Sequence, residues 1–221
     1  MLELVNISKK FRYHGKLINA LSDVSLKIDN AEMIAVMGES GAGKSTLLHI
    51  IGGLLSPSTG KYYYDDKLID NIERNLSKFR NNNIGFVFQN LALILHKNIF
   101  YNISLPLLYK GKTKKEIEEA VHRIALDFGI EDKLYMYPNV LSGGECQRAA
   151  VARAIISNPS IILADEPTSS LDTKNKKFVM DKLVALKNNG KTVIIATHDK
   201  EIACLCDRVI YLGKGLIEDA Y

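Results

Sequence analysis

Alternation dominates the first thirty residues. Residues 2–7, and Val24, Leu26 and Ile28 interleaved with Ser25, Lys27 and Asp29, put apolar side chains on one face only, which predicts half-buried antiparallel strands. Residues 33–37 are apolar throughout and end at Gly38, the pattern of a buried central strand. After a glycine-rich turn the period changes. Leu47, Leu48, Ile50, Ile51, Leu54 and Leu55 fit one face of a helix that Pro57 and Gly60 bring to an end. A strand-rich or irregular stretch follows around Tyr62, Tyr63 and Tyr64.

The middle third reads as helical. Thr113 and Glu116 have capping-box spacing, and Ile117, Ala120, Val121, Ile124, Ala125 and Phe128 recur at i, i+3 and i+4 until Gly129 stops them. Ser142 and Glu145 repeat that spacing ahead of a helix over 148–156, which stops at Asn158 and Pro159. Apolar runs at 161–164 and 193–196 predict two more strands, separated by a helix over about 173–187 that ends near Asn189 and Gly190. Strands alternating with helices imply an α/β fold, its parallel sheet joined by crossovers.

Composition narrows the possibilities. With 221 residues, 47% hydrophobic and 24% charged, the chain has the length of one domain that can bury a core unaided. The longest apolar runs, such as 91–95, fall far short of the roughly 18 to 20 residues a membrane-spanning helix needs. Residues 1–7 alternate like a strand and show no leader, so the expected location is the cytosol. Cys146, Cys204 and Cys206 are an odd set without Cys-x-x-Cys spacing, which favours reduced thiols over a disulfide or zinc. A net charge of +4 spread along the chain makes no case for nucleic acid. The clusters Lys112, Lys114, Lys115 and Lys174, Lys176, Lys177 read as solvated helix faces.

The chemistry begins at Gly38-Glu39-Ser40-Gly41-Ala42-Gly43-Lys44-Ser45, a match to G-x-x-x-x-G-K-[ST] between a predicted buried strand and a predicted helix. Glycines let successive N–H groups turn toward one point, and the helix that follows, with Thr46 in its first turn, adds its positive end. Lys44 supplies charge to the β- and γ-phosphates of a nucleotide, and the Ser45 hydroxyl can ligate Mg²⁺. Holding a nucleotide is not hydrolysing it. Residues 161–164 deliver Asp165 and Glu166 at a strand's C-terminal end, where Asp165 can hold Mg²⁺ and Glu166 can face the water. Alone, two acids ending a strand would be a solvated edge.

Leu141-Ser142-Gly143-Gly144-Glu145-Cys146-Gln147-Arg148, some twenty residues before that acidic strand, resembles the signature of ATP-binding cassette (ABC) ATPases. By itself a Ser-Gly-Gly start would be only a helix cap. The resemblance covers nearly the whole chain. It implies a P-loop NTPase with a RecA-like core over about 1–89 and 161–221, an N-terminal antiparallel β subdomain, and an inserted α-helical subdomain over about 90–160. In the same terms Phe11, or alternatively Tyr13, stacks on adenine. Gln89 is the glutamine that contacts Mg²⁺ and reports nucleotide state, residues 169–172 resemble the D-loop, and His198 is the switch histidine at the γ-phosphate.

Such cassettes share their sites between two chains. The resemblance implies that Ser142, Gly143, Gly144, Glu145 and Asp172 serve ATP held by a partner copy, so that two ATP close a homodimer and hydrolysis reopens it. Separate integral membrane permease subunits are then required, with this chain peripheral on the inner face of the cell membrane. The apolar residues 91–108 supply helical core and, over 91–100, part of a docking site. Ala164-Asp165-Glu166-Pro167-Thr168 with Leu171-Asp172, and the stretch 102–106, look like the branch of lipoprotein-release, macrolide-export and antimicrobial-peptide-export ATPases, with peptide or bacteriocin export the preferred reading. Cys146, Tyr101 and Ser170 depart from that pattern without removing a group hydrolysis needs. Rival readings are a cell-division ATPase of the same branch, a soluble ABC protein acting on ribosomes or DNA, and a P-loop kinase. The last two would need, respectively, a second cassette or coiled-coil insertion and an acceptor-binding lid.

Overall fold

The computed structural model describes residues 1–69, 73–169 and 171–220. The chain opens with a long hairpin, β1 (Leu2–Tyr13) and β2 (Lys16–Ile28), followed by β3 (Met33–Met37) and α1 (Lys44–Ile51). Next come β4 (Thr59–Tyr64), β5 (Lys67–Leu68), α2 (Glu73–Asn83) and β6 (Ile84–Val87). Three helices follow: α3 (Ile99–Tyr109), α4 (Lys114–Asp127) and α5 (Gly143–Ile155). The remainder alternates as β7 (Ile161–Asp165), α6 (Thr173–Asn188), β8 (Thr192–Ala196), α7 (Lys200–Ala203), β9 (Arg208–Gly213) and β10 (Leu216–Ala220).

Two sheets result, one antiparallel in the order β2-β1-β4-β5 and one in the order β10-β9-β3-β8-β7-β6. In the second, β9, β3, β8, β7 and β6 are parallel and β10 is an antiparallel edge. Its central strands are apolar throughout because both faces are covered. Ile161, Leu163, Ile194 and Ala196 pack with α1 and the antiparallel sheet, whereas Ile162, Ala164, Val193 and Ile195 pack with α3, α4, α5 and α6. Each such buried Ile or Leu contributes roughly 1.5–3 kcal/mol.

The capping boxes form as their spacing predicts. Thr113 and Glu116 start α4, and Ser142 and Glu145 start α5, each pair exchanging side-chain-to-backbone hydrogen bonds. The helix expected through Leu54 and Leu55 stops earlier, at Ile51. Gly53 adopts φ +64°, so the chain turns away and leaves Leu54 exposed. Gly85 on β6 is a point of close approach: a Cβ there would lie 2.2 Å from the Ala154 carbonyl oxygen. The absence of a side chain seats α5 directly on β6. No helix among the described residues is long and apolar enough to cross a membrane.

Candidate nucleotide site

β3 delivers the glycine-rich loop at its C-terminal end. Gly43 takes φ +102°, and a Cβ there would meet the Ala20 carbonyl oxygen at 2.4 Å, so only glycine fits the last turn before α1. Gly43 offers α1 no side-chain cap, and the first turn of α1 carries no acid. Its leading N–H groups are thus left for an anion. Lys44 is buried and bends back over the loop, its Nζ donating to the carbonyl oxygens of Gly38 at 2.7 Å and Glu39 at 2.9 Å.

The parallel register sets Asp165 beside Ala196, which brings the ends of β7 and β8 level with the loop. Gln89, Asp165, Glu166 and His198 therefore line one cleft of about 590 Å³ together with Gly38, Glu39, Ser40, Gly41, Gly43, Lys44, Ser45 and Thr46. Ala42 of the same loop is buried and lines a neighbouring hollow on the β9 side. Asp165 is buried, and its Oδ1 has no hydrogen-bond partner among the described residues. A lone pair kept dry and unpaired costs free energy that a cation can repay. Glu166 sits at φ +46°, an uncommon conformation for a non-glycine, with its N–H on the Ala196 carbonyl. Its Oε1 lies 2.9 Å from His198 Nδ1. A carboxylate only accepts, so the exposed imidazole donates from Nδ1.

The adenine candidates separate by register. Phe11 pairs with Ile18, which lines the cleft, whereas Tyr13 pairs with Lys16 beside the hairpin turn. Neither aromatic ring itself lines the cleft. Phe11 lies under Lys9 Nζ at 5.3 Å, and Tyr13 sets its ring edge to His14.

The signature residues lie elsewhere. Ser142 and Gly143 are exposed, Gly144 and Glu145 are half-buried, and none of the four lines the cleft. Glu145 accepts from Ser142 N at 2.8 Å and from Ser142 Oγ at 2.7 Å. These hydrogen bonds hold its carboxyl below the usual glutamate range. Cys146 points inward, its thiol donating to the Pro138 carbonyl at 3.3 Å, and burial pushes its pKa up. The departure of Cys146 from the branch pattern is therefore absorbed in the interior. Asp172 is exposed and caps α6, while Ser170 lies outside the described residues.

Sequence reasoning passes over two residues beside these motifs. Asn175 contacts Asp172, Gly144 and Arg148. Lys176, read as part of a solvated cluster, instead bridges Asp199 at 2.6 Å and Glu201 at 2.7 Å. The three-residue offset from the helix cap could have flagged Asn175, but nothing local marks Lys176.

A phosphate loop, an acidic strand end and a histidine around one cleft define a nucleoside triphosphatase. The family profile described as ABC transporter matches residues 21–169. The lipoprotein-releasing system ATP-binding protein of Buchnera aphidicola is 39% identical across 90% of this chain and 88% of its own. The macrolide export ATP-binding/permease protein of Chlorobaculum tepidum is 42% identical across 99% of this chain, which spans 34% of that longer protein. A dimeric post-hydrolysis structure of an ATP-binding cassette bound to ADP and Pi aligns with a TM-score of 0.95 at 38% identity, covering 100% of this chain and 98% of the other. The chain belongs to the ABC transporter family and is an ATPase of that family.

Proposed function

We propose that this chain hydrolyses ATP at sites shared between two copies and drives separate membrane subunits in exporting or extracting a peptide, bacteriocin, antibiotic or lipoprotein. The observation that carries the shared site is spatial. The cleft is lined by the phosphate loop, the β2 edge, Gln89 and the ends of β7 and β8, and no residue of the Ser142–Gly144 helix start, which has the chemistry of a second anion site, lines it. The dimeric form of a similar cassette and the export and release systems named among relatives support the rest of the reading.

Within the cleft, the loop N–H groups and Lys44 bind the phosphates. The residues present fit Mg²⁺: the unpartnered Oδ1 of Asp165, the Ser45 hydroxyl and the Gln89 amide oxygen are hard donors bordering one space. Bound there, the ion would neutralise charge on the β- and γ-phosphates. Glu166 orients the attacking water and accepts its proton. His198 holds that carboxylate through Nδ1 and stands at the γ-phosphate as the switch histidine. Phe11 stacks on adenine. Ser142, Gly143, Gly144, Glu145 and Asp172 close over the nucleotide of the partner copy.

Residues 90–160 act as the helical subdomain that carries nucleotide state outward. Within them Leu95 is 67% exposed although apolar, and at their border with α2 a cleft of about 820 Å³ opens beside Leu105, Pro106 and Tyr109. These two features form the docking surface for the membrane subunits, with the chain peripheral on the cytoplasmic face.

Glu166→Gln tests the reading. Turnover should fall by about 10²–10⁴-fold while ATP binding persists, and an ATP-bound dimer should accumulate on size exclusion. Parental turnover would remove Glu166 from the reaction, and a purely monomeric ATP complex would remove the shared site.

A further inference from the structure

Two elements that the proposed function turns toward a partner copy, the start of α5 and the loop ending at Asp172, meet at one side chain. Asn175 donates from Nδ2 to Asp172 Oδ2 at 2.7 Å and accepts at Oδ1 from Arg148 Nη2 at 3.1 Å. Arg148 belongs to α5, and its guanidinium also lies over the Phe178 ring, 5.3 Å from the centroid. The same amide fills the space in front of Gly144. A Cβ on Gly144 would stand 2.5 Å from Nδ2, 2.7 Å from Cγ and 2.9 Å from Oδ1 of Asn175. Its neighbour Gly143 differs, since a Cβ there would meet nothing within 4 Å. Two adjacent glycines thus answer different demands, Gly144 an internal one.

We propose that Asn175 is a positioning residue that fastens the start of α5 and the Asp172 loop into one rigid face. The chemistry requires an amide. One side chain must donate to a carboxylate and accept from a guanidinium while lying flat against a glycine, and asparagine does all three at this length. Aspartate would keep the Arg148 contact and set two carboxylates against each other at Asp172. Alanine would keep neither. If, as the proposed function has it, Gly143 and Asp172 both approach the partner's ATP, a fastened face presents them together and avoids aligning two loops separately at each closure.

The test uses the whole chain. In Asn175→Ala, hydrogen exchange should speed up by at least about threefold in both segments 142–148 and 171–175, with the phosphate loop 38–46 unchanged. Asn175→Asp should confine the increase to 171–175. Gly144→Ala should reproduce the Asn175→Ala pattern, and the double variant should add nothing further. In Asn175→Ala, kcat should fall about tenfold while the Kd for a fluorescent ATP analogue stays within about twofold. Exchange that stays parental in either segment of Asn175→Ala, or an unchanged kcat, overturns the proposal. Glu166→Gln reports separately on the shared site: should it fail to dimerise, the exchange data still decide the fastening.

Discussion

Two helices in this chain begin with the geometry that binds phosphate, and they are finished in opposite ways. α1 starts after Gly43 with no side-chain cap and no acid in its first turn, inside a cleft walled by Lys44, Asp165 and Glu166. α5 starts with a complete capping box, and Glu145 in its first turn already occupies the Ser142 N–H. The first helix end is left open for a ligand, whereas at the second the chain itself occupies the N–H groups of Ser142 and Glu145. A phosphate arriving at α5 also meets a carboxylate held ionised by its hydrogen bonds to Ser142. The difference teaches a division of labour. α1 can capture nucleotide from solution, whereas α5 can engage only a nucleotide that something else already holds.

The largest expected effect breaks that comparison at α5. Gly143→Asp places a charge where a Cβ meets nothing within the chain, so the fold should be kept and ATP binding should stay within about twofold. Turnover should fall by about 10²–10³-fold, the size of effect seen when an anion site at a reacting centre is disabled, here by a carboxylate set against the phosphate. Lys44→Ala should do the reverse, weakening ATP binding by about 10–100-fold through the loss of a charge-assisted contact. Mixed in equal amounts, the two inactive variants should recover activity, since one composite site joins a sound phosphate loop to a sound signature. A mixture no more active than its parts would show that the two helix ends do not complete each other.

A smaller effect sharpens how α5 is placed. Gly85→Ala drives a methyl into the Ala154 carbonyl and should cost about 1–3 kcal/mol of stability, read as a lower denaturation midpoint. Since β6 leads into Gln89 and α5 follows from the signature, turnover should drop along with stability. A neutral Gly85→Ala would mean that α5 is not seated on β6.

The same contrast explains what was legible in the sequence. The phosphate loop is contiguous and rests on local backbone needs, so its motif located every member, and the capping boxes of α4 and α5 were equally local. The end of α1 was not. Leu54 and Leu55 continue the apolar period, but Gly52 and Gly53 overrule it. α2 escaped notice because among its described side chains only Leu76 and Phe79 are buried, too few to show a period along a mostly polar sequence. The outer half of the β1–β2 hairpin escaped because residues 9–19 project beyond the core and have no buried face to alternate. Asn175 and Lys176 escaped for another reason: Arg148 and Asp199 lie 27 and 23 residues away, and only the fold brings them together.

Lys176 gives the smallest effect and joins the two regions. It sits next to Asn175 in the first turn of α6, yet faces the other way, toward Asp199 and Glu201. Asp199 follows His198 and caps α7 by accepting from Glu201 N at 2.8 Å, so Lys176 anchors the loop that carries the histidine of the cleft. Its hydrogen bond holds the Asp199 carboxyl below the ordinary range, and the same partners raise the lysine. A depressed carboxyl stabilises the fold above its unfolded pKa of about 3.9 and loses that contribution as pH falls through the folded value. A raised lysine contributes below about 10.4 and loses it as pH climbs past the folded value. Lys176→Met should therefore lower Tm slightly and evenly between about pH 5 and pH 9, and the gap from the parent should narrow once pH falls below about 3.9 and through the depressed Asp199 value. A gap that stays constant as pH falls below about 3.9, down to acid unfolding, would locate the loss in packing instead of the ion pair. Adjacent residues of one helix hold the two regions by unlike means, an amide lock toward the signature and an ionic tether toward the cleft, and acid should loosen both, since hydrogen bonds from Asn175 hold Asp172 below its ordinary range as Lys176 holds Asp199.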